Sequence, residues 1–154
     1  MSRGIFVTLL GIIALGAVGC GDAGSPEEEV RAVIVAAEQA AESRSVGDLM
    51  ALTAPGFSDG DGRSTDELAR YVRGYFIANQ SVRLLTRISR IEVIAPDVAE
   101  AEVTVAMVGK DAEATAAWDL AFDVVDFDVD LRRIDGEWKV VHAKWRRGSA
   151  GRRP

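Results

Sequence analysis

The chain has 154 residues, 48% apolar, 27% charged and 6% aromatic, the composition of an ordinary globular protein and not of a collagen-like or disordered one. A formal charge of −6 excludes a nucleic-acid binder that works through a net basic surface. The single cysteine excludes an intramolecular disulfide framework and any multi-cysteine zinc site, and the sequence implies no cofactor and no metal ion.

Met1-Ser2-Arg3 is a short positive segment, Ile5 to Val18 is apolar, and Ala17-Val18-Gly19 puts small residues directly before Cys20. That is the layout of a secretory signal peptide. A transmembrane anchor is the competing reading, but the uncharged run from Gly4 to Gly19 falls short of the roughly 20 residues needed to cross the hydrocarbon core. Val18-Gly19-Cys20 behind an Ile/Leu-rich stretch resembles the bacterial lipobox, with Ala17 where Leu is most usual. The resemblance implies a signal peptide over residues 1–19, lipidation at Cys20 by acyl chains such as palmitate, and a lipidated tether over residues 20–26. Membrane attachment would then run through the N-terminal lipid alone, since two or three chains at about 0.8 kcal/mol per buried methylene anchor a protein stably. Gly21 in place of Asp implies sorting to the outer membrane, facing the periplasm, in a Gram-negative host. Ordinary signal peptidase also accepts Ala17-Val18-Gly19, so a free secreted or periplasmic protein is the alternative.

The mature chain loses Arg3 and is one charge more acidic. Its acids crowd the stretch from Asp22 to Asp48, whereas Lys139, Lys144, Arg146, Arg147, Arg152 and Arg153 follow Glu137 with no acid among them. A domain is expected over residues 27–147 and a flexible basic tail over 148–154.

Ser25 as N-cap, Pro26 in the first turn and Glu28 three residues after the cap predict a helix to about Ser43, with Val30, Val33, Ile34, Ala37 and Ala41 on one stripe. A shorter helical piece is expected around Asp48 to Thr53, closed by Pro55-Gly56, and then a loop over Asp59-Gly60-Asp61-Gly62. Ser64 and Glu67 repeat the capping-box spacing and open a helix to about Asn79, with Leu68, Val72, Tyr75 and Phe76 inward. After Gln80 the period becomes two. Ser81–Ile94 reads as a strand, Pro96-Asp97 as a turn, and Ala99 to Met107 as an alternating strand. Gly109 to Glu113 is the next turn. Trp118, Leu120, Phe122 and Val124 hold even phase while Val125, Phe127, Val129 and Leu131 hold odd phase, which predicts a bulge at Val124-Val125. Asp135-Gly136 predicts a tight hairpin turn into Trp138–Trp145.

Helices followed by a run of strands give an α+β fold. Three strings, the first helix with VGDLMALTAPGF, the segment RISRIEVIAPDVAEAEVTV, and the hairpin LRRIDGEWKVVHAKW, resemble the nuclear transport factor 2-like superfamily, which includes SnoaL-like domains. The resemblance spans about Glu27 to Arg146. It implies a cone, in which a curved antiparallel sheet wraps around the N-terminal helices and encloses a pocket able to take a small apolar ligand. The superfamily contains isomerases, cyclases, dehydratases and members with no catalysis, so the fold does not select among them.

Among chemistry-bearing residues, Asp119, Asp123, Asp126, Asp128 and Asp130 fall on one face of the bulged strand. They form either a polar pocket wall or a solvated face paired with Arg83, Arg87 or Lys139 on neighbouring strands. Asp59-Gly60-Asp61-Gly62 fails as a calcium loop, because Arg63 and Arg70 stand at its fifth and twelfth positions. Tyr75 lies on the apolar stripe of its helix and reads as core; neither it nor Tyr71 matches an oxyanion-donor motif. His142, the lone histidine, alternates in phase with Trp138 and Val140 and reads as a packed residue or a general base. Lys139, Val141, Ala143 and Trp145 then fall on the other face, and apolar residues on both faces suggest homodimerisation through the sheet around Val141 and Trp145. The leading expectation is a cell-envelope lipoprotein with a non-catalytic ligand-binding or scaffold domain. The alternatives are a small pocket enzyme of the SnoaL or ketosteroid isomerase type, with Asp123, Asp126 or His142 as base, and a secreted homodimeric assembly module.

Overall fold

The computed structural model describes residues 24–107 and 123–148. Ser25 Oγ accepts from the Glu28 amide at 3.3 Å while the Ser25 amide donates to Glu28 Oε2 at 2.8 Å, and this reciprocal box opens helix α1, Pro26–Glu42. Val30, Ile34 and Ala40 are its buried residues. Arg44, at φ 57°, turns the chain out of α1, and Ser45 caps α2, Val46–Ala51, by accepting from the Asp48 amide at 3.2 Å.

The expected helix around Asp48 to Thr53 stops at Ala51, and the residues read as its terminator form a strand, β1, Thr53–Asp59. Pro55 and Gly56, with Gly56 at φ 80°, are tolerated because β1 is an edge strand whose register slips between Thr53 and Ser58. Helix α3, Thr65–Ala78, opens on the Ser64–Glu67 box as expected. Four strands follow: β2, Leu84–Ala95; β3, Val98–Met107; β4, Asp123–Ile134; and β5, Glu137–Arg147. Asp135 and Gly136 both have positive φ, 52° and 85°, as a two-residue hairpin turn of matching twist requires.

The fold is α+β, a curved, unclosed five-stranded sheet with its three helices in the N-terminal half, the edge strand β1 falling between α2 and α3. Its order is β1-β5-β4-β3-β2. The β2–β3, β3–β4 and β4–β5 pairs are antiparallel, but β1 lies parallel to β5, so the sheet is mixed and not wholly antiparallel. The expected bulge at Val124-Val125 is absent: β4 keeps unbroken register against β3 from Asp123 to Arg132. The irregularity lies on β5 instead, where Asp130 pairs with His142 and Leu131 with Val140, leaving Val141 as the extra residue. The expected turn at Gly109–Glu113, the segment Trp118–Phe122, residues 1–19 with Cys20, and the tail beyond Gly148 lie outside the described residues.

The core gathers Val30 and Ile34 of α1, Ala99, Ala101 and Val103 of β3, Leu131 of β4 and Trp138 of β5. Leu131 and Val30 are fully buried. Each such side chain contributes about 1.5–3 kcal/mol, and together they fasten α1 to the inner face of the sheet.

Candidate functional site

Strand alternation and register fix which side chains share the sheet's outer face. Arg87, Thr104, Asp126 and Arg146 form one row across β2, β3, β4 and β5; Arg90, Glu102, Asp128 and Lys144 form the next; Glu92, Glu100, Asp130 and His142 form a third. Within these rows Thr104 Oγ1 donates to Asp126 Oδ1 at 2.8 Å, and Arg146 donates to Asp128 Oδ2 at 2.9 Å. Arg90 reaches Glu92, Glu100 and Glu102 at 3.1, 3.5 and 3.4 Å. Asp126, Asp128 and Asp130 therefore share a face as expected. Lys139 does not serve them: its ammonium lies 2.8 Å from Glu137 and donates to the Ala51 carbonyl at 3.0 Å. Asp123 pairs by its backbone with Met107, and its side chain, like all of Asp119, lies outside the described residues.

The β5 bulge overturns the expected phase of the last strand. His142 leaves the face of Trp138 and Val140 and joins Asp130, while Ala143 and Trp145 pair with Val129 and Phe127 and join the apolar inner face. The premise of apolar residues on both faces, and with it the reason for a dimer around Val141 and Trp145, does not hold. His142 is half-buried, and its Nδ1 lies 2.6 Å from the Ser58 carbonyl and 3.3 Å from Ser58 Oγ. A carbonyl only accepts, so Nδ1 carries the proton.

The least expected site residue is Asp59, a charged group only 2% exposed at the end of β1. Its carboxylate accepts from the Asp61 and Arg63 amides at 2.9 and 2.8 Å and from the Arg63 guanidinium at 2.7 Å. Burial would raise its pKa, but these amide and guanidinium hydrogen bonds together outweigh it and hold the carboxyl below its ordinary value. Arg63 also lies 4.9 Å from the Tyr71 ring and 5.5 Å from the Trp145 ring. The guanidinium thus sits against the carboxylate that a cation would need, and the Asp-Gly-Asp-Gly segment is a tight turn ahead of Ser64, as expected. Beside it a groove of about 290 Å³, open to solvent, runs between Asp61, Asp128, Lys144 and Trp145. A second open groove of about 420 Å³ lies between Met50, Phe57 and the start of α3.

Inside the sheet the chemistry is sparse. Tyr75 is half-buried and packs edge-on against Phe76, at 6.3 Å between ring centres, with its hydroxyl donating to Met107 Sδ; of the expected inward stripe of α3 only Phe76 is buried. Glu29 takes hydrogen bonds from the Arg133 guanidinium and, at 2.9 Å, from Trp138 Nε1, and these hold its carboxyl below the ordinary value. Thr86 Oγ1 is buried with no hydrogen-bond partner among the described residues. It stands opposite Val105 on the inner face, along which Val105, Phe127, Val129 and Val140 are only partly buried. Sequence reasoning missed Glu29 and Thr86, and it read Asp59 and Arg63 only as parts of a failed calcium loop and not as a buried pair. The Asp-Gly-Asp-Gly-Arg string held a signal for that pair, as an Asx turn with an arginine four residues on, but nothing local marks Glu29 or Thr86. Among the described residues no group of three or more His, Cys, Asp or Glu is placed to hold a metal ion, and no helix is long and apolar enough to cross a membrane.

No protein-family model and no curated protein sequence matches the chain. Solved structures do. A putative calcium/calmodulin-dependent protein kinase type II association domain from Thiobacillus denitrificans is 20% identical, with a TM-score of 0.62, over 75% of this chain and 91% of that one. An NTF-2 like protein of unknown function from Silicibacter pomeroyi is 16% identical, with a TM-score of 0.58, over 79% and 94%. A ketosteroid isomerase-like protein from Erwinia carotovora atroseptica is 15% identical, with a TM-score of 0.60, over 81% and 98%. At these identities the likeness speaks to architecture alone, and it agrees with the helix and strand order above: the chain has the NTF2-like fold.

Proposed function

We propose that the protein is a cell-envelope lipoprotein whose domain binds a small apolar ligand and does not catalyse a reaction. The observation that carries this reading is where the ionisable candidates lie. Asp126 is bonded to Thr104 and His142 to the Ser58 carbonyl, both on the charged outer face, and Asp128 is paired with Arg146 there too. The inner face offers half-buried apolar side chains and one orphaned hydroxyl, Thr86. An apolar molecule with a single hydrogen-bonding group fits that chemistry, since an unpartnered buried hydroxyl is costly to leave unpaired. One neighbour's name offers the isomerase reading, against which the outer-face seats of Asp126 and His142 count.

Two measurements test it. Titration with a neutral apolar fluorescent dye should give saturable binding that Phe127→Ala weakens several-fold and that Asp126→Asn and His142→Gln leave unchanged; absence of saturable binding overturns the ligand reading. Intact mass of membrane-extracted protein should correspond to a chain starting at Cys20 with added acyl chains, and Cys20→Ser should release the protein from the membrane. An unmodified N-terminus at Cys20 or Gly21 overturns the anchor.

A further inference from the structure

We infer that the end of the domain bearing the β2–β3 and β4–β5 turns faces the lipid bilayer, with Ile94 and its neighbours in contact with it, and that the α3 end points away. The inference rests on the proposed acylation of Cys20 and adds an orientation to it.

Three elements meet at one end of the molecule. The first turn of α1 is there, because Glu29 bonds Arg133 and Trp138 on either side of the Asp135-Gly136 turn. The β2–β3 turn is there too, because the Arg133 amide donates to the Asp97 carbonyl at 2.9 Å. The other end is equally well defined. The Arg44 guanidinium at the end of α1 donates to the Phe76 and Gln80 carbonyls, and Glu42 Oε1 accepts from the Leu84 amide at 2.8 Å, so α3 finishes and β2 begins there. An α1 of 17 residues separates the two ends by about 25 Å.

Chain length then restricts the anchor. From Cys20 to Pro26 the backbone spans at most about 20 Å even when fully extended, so the acylated residue holds the α1 start within that distance of the lipid. At this same end Ile94 is 55% and Val93 37% exposed, beside an exposed Pro96. These are apolar groups where a strand meets a turn, at a corner within the tether's reach, and an interfacial apolar contact of that kind sits several ångströms deep in the headgroup layer. The charges at this end are mixed, Glu27, Glu28, Asp97, Asp135 and Glu137 with Arg132, Arg133 and Lys139, so no net basic patch is there to draw anionic lipid and the contact is apolar. The competing surface is Ile77 on α3, 74% exposed but at the far end.

Purified acylated protein carrying Ile94→Cys or Ile77→Cys, labelled with an environment-sensitive fluorophore, is reconstituted in phosphatidylcholine vesicles containing a headgroup nitroxide lipid. The fluorophore at 94 should be quenched at least several-fold more than the one at 77, equally so when a fraction of the lipid is replaced by phosphatidylglycerol. Equal quenching at both positions, or stronger quenching at 77, on protein whose acylation is verified by mass overturns the orientation alone. A protein found unacylated at Cys20 overturns the anchoring reading and the orientation with it.

Discussion

Asp59 is buried, charged and bonded within four residues of itself, so its protonation is tied to the folded state. Its folded pKa is depressed, so the stability it contributes is complete above the ordinary value of 3.8 and is lost as the pH falls through the lower folded value. Urea midpoints measured from about pH 7 down to about pH 2 should therefore fall more steeply for the wild type than for Asp59→Asn. Parallel curves for the two proteins would contradict the assignment. Leu131 makes a second residue-scale case. It is fully buried between α1 and Trp138, and Leu131→Ala should lower the unfolding free energy by about 2–5 kcal/mol in the same assay.

At the scale of elements, both long helices were legible because their start signals are local. Each box joins residues three apart, and Ser25→Ala and Ser64→Ala should each cost about 1 kcal/mol, adding in the double variant because the caps share no contact. The last two strands and their turn were legible for the same reason, since Asp135-Gly136 specifies a hairpin by its own backbone preference. β1 was not. Pro55-Gly56 reads locally as a terminator, and the strand exists because β5, far along the chain, supplies the partner for Thr53 and for Ser58. The bulge was placed on the wrong strand because Val124 and Val125 are both apolar, which reads as a change of phase, whereas the two lie on opposite faces in unbroken register and Val124 is buried beside Ala106; the extra residue on β5 shows only in the pairing of Leu131 with Val140. Deletion of Val141 should remove the bulge and leave Val140 opposite Leu131 and His142 opposite Asp130, so that Ala143 and Trp145 stay inward; near-ultraviolet circular dichroism should keep the Trp145 contribution, and its loss would contradict the bulge.

Across the whole molecule, Glu29, Arg133 and Trp138 join the first helix to the last hairpin, with Arg133 stacked 4.9 Å from the Trp138 ring. Glu29→Gln and Arg133→Ala should be non-additive in a double-mutant cycle, and hydrogen exchange should speed up in the first turns of α1 in either variant; strict additivity would mean the two act independently. By itself the sequence determined the helix caps, the hairpin turn and the α+β class, because each of these is written in residues a few positions apart. The parallel edge strand, the face of His142, the burial of Asp59 under Arg63 and the orphaned Thr86 hydroxyl were decided only by the tertiary structure. Each depends on which strands become neighbours, and register between distant strands is set by packing the whole sheet against α1, a sum that no local pattern contains.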